Sequence, residues 1–76
     1  MIVKEEAIRI ATEYMASVGP EVTYDFAARR SLKYPSHFEE REAWVVYFVH
    51  AVYKIEGHWI VHVDVATGEV YRHYRL

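Results

Sequence analysis

Five histidines in 76 residues are the densest chemistry-bearing feature of this chain. Imidazole nitrogens ligate zinc and titrate near neutral pH, so their spacing decides what they can do. His58-x-x-x-His62 has the spacing of a helical metal pair. In an extended chain the two share a face but lie roughly 13 Å apart, too far to hold one ion. A better set is His62, Asp64 and His73. If residues 65–68 form a turn, the flanking strands pair, these three project to one face, and His62 approaches His73 diagonally. A zinc site needs three or four ligands at about 2.0–2.2 Å, and no convincing fourth stands out. The simpler reading of the same residues is a solvent-facing polar strand surface. A third is a pH-responsive histidine cluster, because imidazoles gain charge in mild acid.

The other reactive residues argue against catalysis. Ser17, Ser31 and Ser36 lie outside any Gly-x-Ser-x-Gly elbow, and adjacency of Ser36 and His37 is not a nucleophile–base geometry. No cysteine is present, which excludes disulfides and thiolate chemistry. With three glycines there is no phosphate-cradling loop. Glu39, Glu40, Arg41 and Glu42 read as a solvated charged run. Arg29, Arg30 and Lys33 form one small basic cluster, and Arg72, His73 and Arg75 another. Nucleic-acid proteins present a broader basic face, so these charges read as guards of sheet edges. Neither an enzyme, a cofactor protein nor a nucleic-acid binder is expected.

Composition agrees. The net charge is −2, and five protonated histidines would turn it to +3. Hydrophobic residues make up 53% and charged residues 26%, too apolar a balance for disorder. No apolar run reaches the roughly 18 residues of a membrane span. The start MIVKEEAIRI lacks a basic region followed by an apolar stretch. A cytoplasmic location is therefore expected, or export if a leader has been removed. Residues 1–76 make a single domain, whose core supplies only about 3–5 kcal/mol at this size. Two Trp, seven Tyr and three Phe offset that, since each ring can bury ~150–250 Å².

The elements follow from periodicity. In residues 4–18, Ala7, Ile10, Ala11, Tyr14 and Val18 recur at helical spacing with Val3 before them, widened by Ile8 and Met15. Gly19 can cap this helix and Pro20 stops it. Residues 21–30 alternate, with Val22, Tyr24, Phe26 and Ala28 on one face. Residues 31–41 read as a polar connection broken by Pro35. Ser36-x-x-Glu39 could cap a helix over 43–55, but Val45, Val46, Val49, Val52 and Ile55 are β-branched and four neighbours are aromatic, so this segment is expected to be a long strand. Glu56-Gly57 is a short turn. His58 to Val65 is a strand with Trp59, Val61 and Val63 on one side. Asp64 and Gly68 bound a turn, Asp64 accepting amide hydrogen bonds and Gly68 supplying positive φ. Val70 to Leu76 returns as the last strand. The expected fold is α+β, with one N-terminal helix packed on a four-stranded antiparallel meander. The expected core is Ala7, Ile10, Tyr14, Phe26, Trp44, Val46, Phe48, Trp59, Val61, Val63 and Val70.

The strand at 43–53 is apolar on both sides. Trp44, Val46 and Phe48 face one way, and Val45, Tyr47, Val49, Ala51 and Tyr53 face the other. One helix covers one face, and an uncovered patch of this kind would reach several hundred Å². The second face needs a cover: the 31–41 segment with Leu32, Tyr34 and Phe38, a second copy in a homodimer, or another protein. Val45, Tyr47, Val49 and Tyr53 are the candidate partner-binding residues, tyrosine being suited to interfaces. No nucleic acid or membrane partner is expected.

Three pieces together resemble the PepSY-type domain, a small bacterial helix-plus-sheet module. They are Lys4-Glu5-Glu6-Ala7 opening a helix, Trp44-x-Val46-x-Phe48 on a strand, and Val63-Asp64-x-x-Thr67-Gly68-Glu69-Val70 at the last hairpin. The resemblance implies a non-catalytic module that inhibits or chaperones peptidases. Toxin-immunity proteins have a similar layout and also act by binding.

Overall fold

The computed structural model describes residues 1–34, 39–52 and 57–76, the side chains of Lys33, Tyr34 and Glu39 aside. Helix α1 (Lys4–Val18) is followed by strands β1 (Val22–Tyr34), β2 (Glu39–His50), β3 (Trp59–Asp64) and β4 (Val70–Arg75). The strands form one antiparallel sheet in the order β1-β2-β3-β4, so the α+β meander read from the sequence is the fold. No helix among the described residues is long and apolar enough to cross a membrane.

Helix α1 has Val3 as its N-cap, without a side-chain cap bond, and is closed by Gly19, which donates its N–H to the Met15 carbonyl and takes φ 117° to turn the chain out of the helix. Its buried line is Ala7, Ala11 and Met15, with Ile8, Ile10 and Tyr14 at its flanks and Val3 and Val18 exposed. Two alanines on that line let the helix lie close to the sheet. There it meets Val46 and Phe48 of β2 and Val61 and Val63 of β3, with Trp44, Trp59 and Val70 half-buried around them. The N-terminal segment ties the arrangement down. The Ile2 N–H donates to the Val65 carbonyl (2.7 Å), and Trp44 Nε1 donates to the Ile2 carbonyl (3.1 Å).

Segment 43–50 is extended, as its β-branched and aromatic content requires, but the strand expected over 43–55 ends at His50 and the chain bends at Ala51 and Val52. The expected connection at 31–41 is shorter than anticipated. Strand β1 runs to Tyr34 and β2 begins at Glu39, in register from Ser31 opposite Glu42 to Tyr34 opposite Glu39. Polarity alone ends the strand at Arg30 in the sequence reading, whereas the backbone ladder continues past it, with Leu32 opposite Arg41. Residues 35–38 and 53–56, with Ser36, His37, Phe38, Tyr53 and the Glu56 turn, lie outside the described residues.

A second departure has larger consequences. Strand β1 carries a bulge at Asp25: Tyr24 pairs with Phe48, but Phe26 pairs with Tyr47. The extra residue switches the strand's faces. Val22 and Tyr24 lie on the helix side, whereas Phe26 and Ala28 lie on the opposite side, so Phe26 is 44% exposed instead of joining the core.

The turn after β3 forms as read. Asp64 Oδ1 accepts the N–H groups of Ala66 (2.6 Å) and Thr67 (2.9 Å), and the Gly68 N–H donates to the Asp64 carbonyl (2.9 Å). Gly68 takes φ 78°, and it is this backbone conformation that calls for glycine, since a Cβ there would make only ordinary contact with Ile10 at 3.4 Å.

Candidate binding face

The register arranges the side of the sheet away from α1 into rows crossing the strands. One row is Phe26, Tyr47, Ile60 and Tyr74. The next is Ala28, Val45, His62 and Arg72, and the one after begins Arg30, Ala43, Asp64. No other helix or strand among the described residues lies over this face. Its middle is nonetheless shielded within the single chain: Val45 is 4% exposed and Ile60 2%. What remains accessible is the β1 side, where Phe26 stacks on Tyr47 with ring centroids 4.1 Å apart and planes 10° from parallel. His58 stands edge-on to both rings, and its Nε2 donates to Asp25 Oδ2 (2.8 Å), reaching across β2 to the bulge.

Of the expected partner-binding residues, Tyr47 and Val49 are half-buried on this face and Val45 is almost wholly enclosed. Tyr53 lies outside the described residues. The most exposed ring on the face among the described side chains, Phe26, escaped the sequence reading. Strict alternation from Val22 put it with the core, and nothing local marks Asp25 as an inserted residue.

The expected ligand set of His62, Asp64 and His73 is not assembled. A second bulge, at Tyr71, pairs His62 with Arg72 and Val63 with Val70. It turns His73 to the helix side, where its Nδ1 meets the Tyr14 hydroxyl, while His62 and Asp64 stay on the opposite face. Asp64 is occupied by its own turn and by Arg41 Nη1 at 3.6 Å. No group of three His, Cys, Asp or Glu among the described residues could hold a metal ion. His58 and His62 share a face, as the alternation of β3 requires, and each has its own partner.

His62 is 6% exposed, and its Nε2 lies 3.3 Å from the Tyr74 hydroxyl. Burial pushes its pKa down, and the Arg72 guanidinium pushes it further down. The neutral imidazole is thus the folded form. In the unfolded chain His62 binds a proton near the ordinary value of about 6.5, so this residue's contribution declines as pH falls through that value. The decline stops once pH drops below the lowered folded value. His62→Gln should flatten the stability–pH curve below neutrality, measured by urea unfolding at a series of pH values. An unchanged slope would assign the acid sensitivity elsewhere.

An open cavity of about 280 Å³ at the β3–β4 turn is lined by Met1, Arg41, Glu42, Asp64 and Thr67, but Arg41 is paired with Asp64 and Glu42 with Arg29. The chemically distinctive surface is therefore the aromatic step Phe26–Tyr47 with His58 and Asp25. The chain matches no family model, no curated protein and no solved structure.

Proposed function

We propose that this chain is a non-catalytic protein-binding module, of the inhibitory PepSY-like kind, that docks a partner on the sheet face opposite α1. The observation that carries this reading is the Phe26–Tyr47 stack, two accessible rings on a face over which no described helix or strand packs. Rigid aromatic pairs of this kind supply large contact area at little entropic cost, and such anchors dominate many interfaces. Val49 extends the patch along β2, and Arg30 and Arg72 supply a charged rim. The Lys4–Ala7, Trp44–Phe48 and Val63–Val70 pieces of the resemblance fall at the helix start, on the helix-facing β2 ladder and on the last hairpin.

The test places a photo-crosslinking residue at position 49, with a control at position 13 on the outer surface of α1, in the source cells. The reading expects a protein adduct from position 49 alone. It also expects Tyr47→Ser to weaken binding of that protein roughly tenfold or more, as an interface anchor does. Adducts from position 13 alone, or an affinity indifferent to Tyr47→Ser in a folded variant, would overturn it.

A further inference from the structure

We propose that the outer rim of β1 pairs antiparallel with β1 of a second copy, joining two four-stranded sheets into one across a two-fold axis at Ala27. The inference goes beyond the docking face, because it uses the strand's backbone rim.

The hydrogen-bond directions identify that rim. The Glu21 carbonyl accepts from Ala51, and the Glu42 carbonyl accepts from Val65. Alternation along β2 therefore turns its odd-numbered residues toward β1 and its even-numbered residues toward β3. Val22, Tyr24, Ala27, Arg29 and Ser31 are registered with even-numbered residues of β2. Their N–H and C=O groups point out of the sheet, a ready template for another strand.

The two sheet edges differ in how they are guarded. Strand β4 is six residues long and carries exposed Arg72, His73 and Arg75. Strand β1 is thirteen residues long, and over 22–28 its one charge, Asp25, is tied to His58. Tyr24 (38% exposed) and Phe26 (44%) are the exposed large hydrophobics within the described strands, and the bulge sets one on each side of this rim. A strand added there would pack against Tyr24 on the helix side and Phe26 on the other.

The order of residues is self-complementary. Antiparallel pairing about Ala27 sets Phe26 beside the partner's Ala28, where the small side chain leaves room for the ring. Past the bulge, Tyr24 falls opposite the partner's Arg29, whose guanidinium pairs with Glu42 of its own chain. Each of these cross-strand neighbours occurs twice by symmetry. The faces agree as well, since Tyr24 and Arg29 both lie on the helix side and Phe26 and Ala28 both lie on the other.

The test follows the wild-type chain from micromolar to millimolar concentration by sedimentation and by amide hydrogen exchange. The proposal expects the mass to double and the Ala27, Arg29 and Ser31 amides to slow roughly tenfold or more together. Ala27→Pro removes the outward N–H at the axis without touching the internal ladder, a placement edge strands accept. It should stay monomeric at every concentration. A monomer at millimolar wild-type concentration, or a dimer whose three amides exchange as they do on dilution, would overturn the proposal. The exchange measurement decides even if Ala27→Pro does not fold. Binding at the Phe26–Tyr47 face is read from position 49 and Tyr47→Ser, so either idea can fail without the other.

Discussion

Phe48→Ala is expected to leave the chain largely unfolded at room temperature. Phe48 is the largest fully buried side chain among the described residues. It stands on β2 between Tyr24, edge-on at 6.5 Å, and Trp59, with α1 above it. Removing a buried phenylalanine costs about 3–5 kcal/mol, as lost transfer energy plus the cavity left behind. A core of this size supplies about the same amount in total, and the chain has no disulfide to offset the loss. Circular dichroism in a urea series checks the outcome. Phe48→Leu, which keeps most of the volume, should remain folded with a loss of about 1–2 kcal/mol. A cooperative wild-type midpoint in Phe48→Ala would show that the stability resides away from the α1–sheet interface.

Asp64→Ala is expected to be the most damaging polar substitution. The carboxylate is 4% exposed, its Oδ1 accepts two backbone amides of the 64–68 turn, and Arg41 lies at 3.6 Å. Alanine removes these interactions at once. Water can reach the freed amides, because Ala66 and Thr67 are exposed, so a loss of about 2–3 kcal/mol is expected. Asp64→Asn retains an acceptor for the turn and loses only the charge, so its loss should be about 1 kcal/mol. Equilibrium unfolding of the two variants separates the roles. Equal losses would assign the effect to the Arg41 pair instead of the turn.

Much of the fold was legible because it is written in local signals. The 3.6-residue stripe ending at Gly19, the β-branched run that begins at 43, the alternation after His58 and the Asp64–Gly68 turn each need only a few neighbouring residues, and each forms, although β2 ends at His50 instead of running to 55 and β3 ends at Asp64. The core list drawn from these signals holds for Ala7, Val46, Phe48, Val61 and Val63. It fails at Phe26 and omits Ala11 and Met15. The stripe as read already held Ala7 and Ala11, with Met15 widening it; the core list drawn from it took the larger Ile10 and Tyr14, which the structure leaves half-buried at the flanks.

The candidate site was less legible, for one physical reason. An inserted strand residue costs little locally and carries no composition signal, yet it moves every later side chain to the other face. The bulge at Asp25 took Phe26 out of the core and set it against Tyr47. The bulge at Tyr71 carried His73 away from His62 and Asp64. By itself the sequence determined the helix, the strand character and the last turn, because propensity and periodicity act over a few residues. Only the tertiary structure decided which face each side chain takes and which rim is open. Those depend on how one strand is registered against another, and cross-strand pairing energies have no counterpart along a single segment.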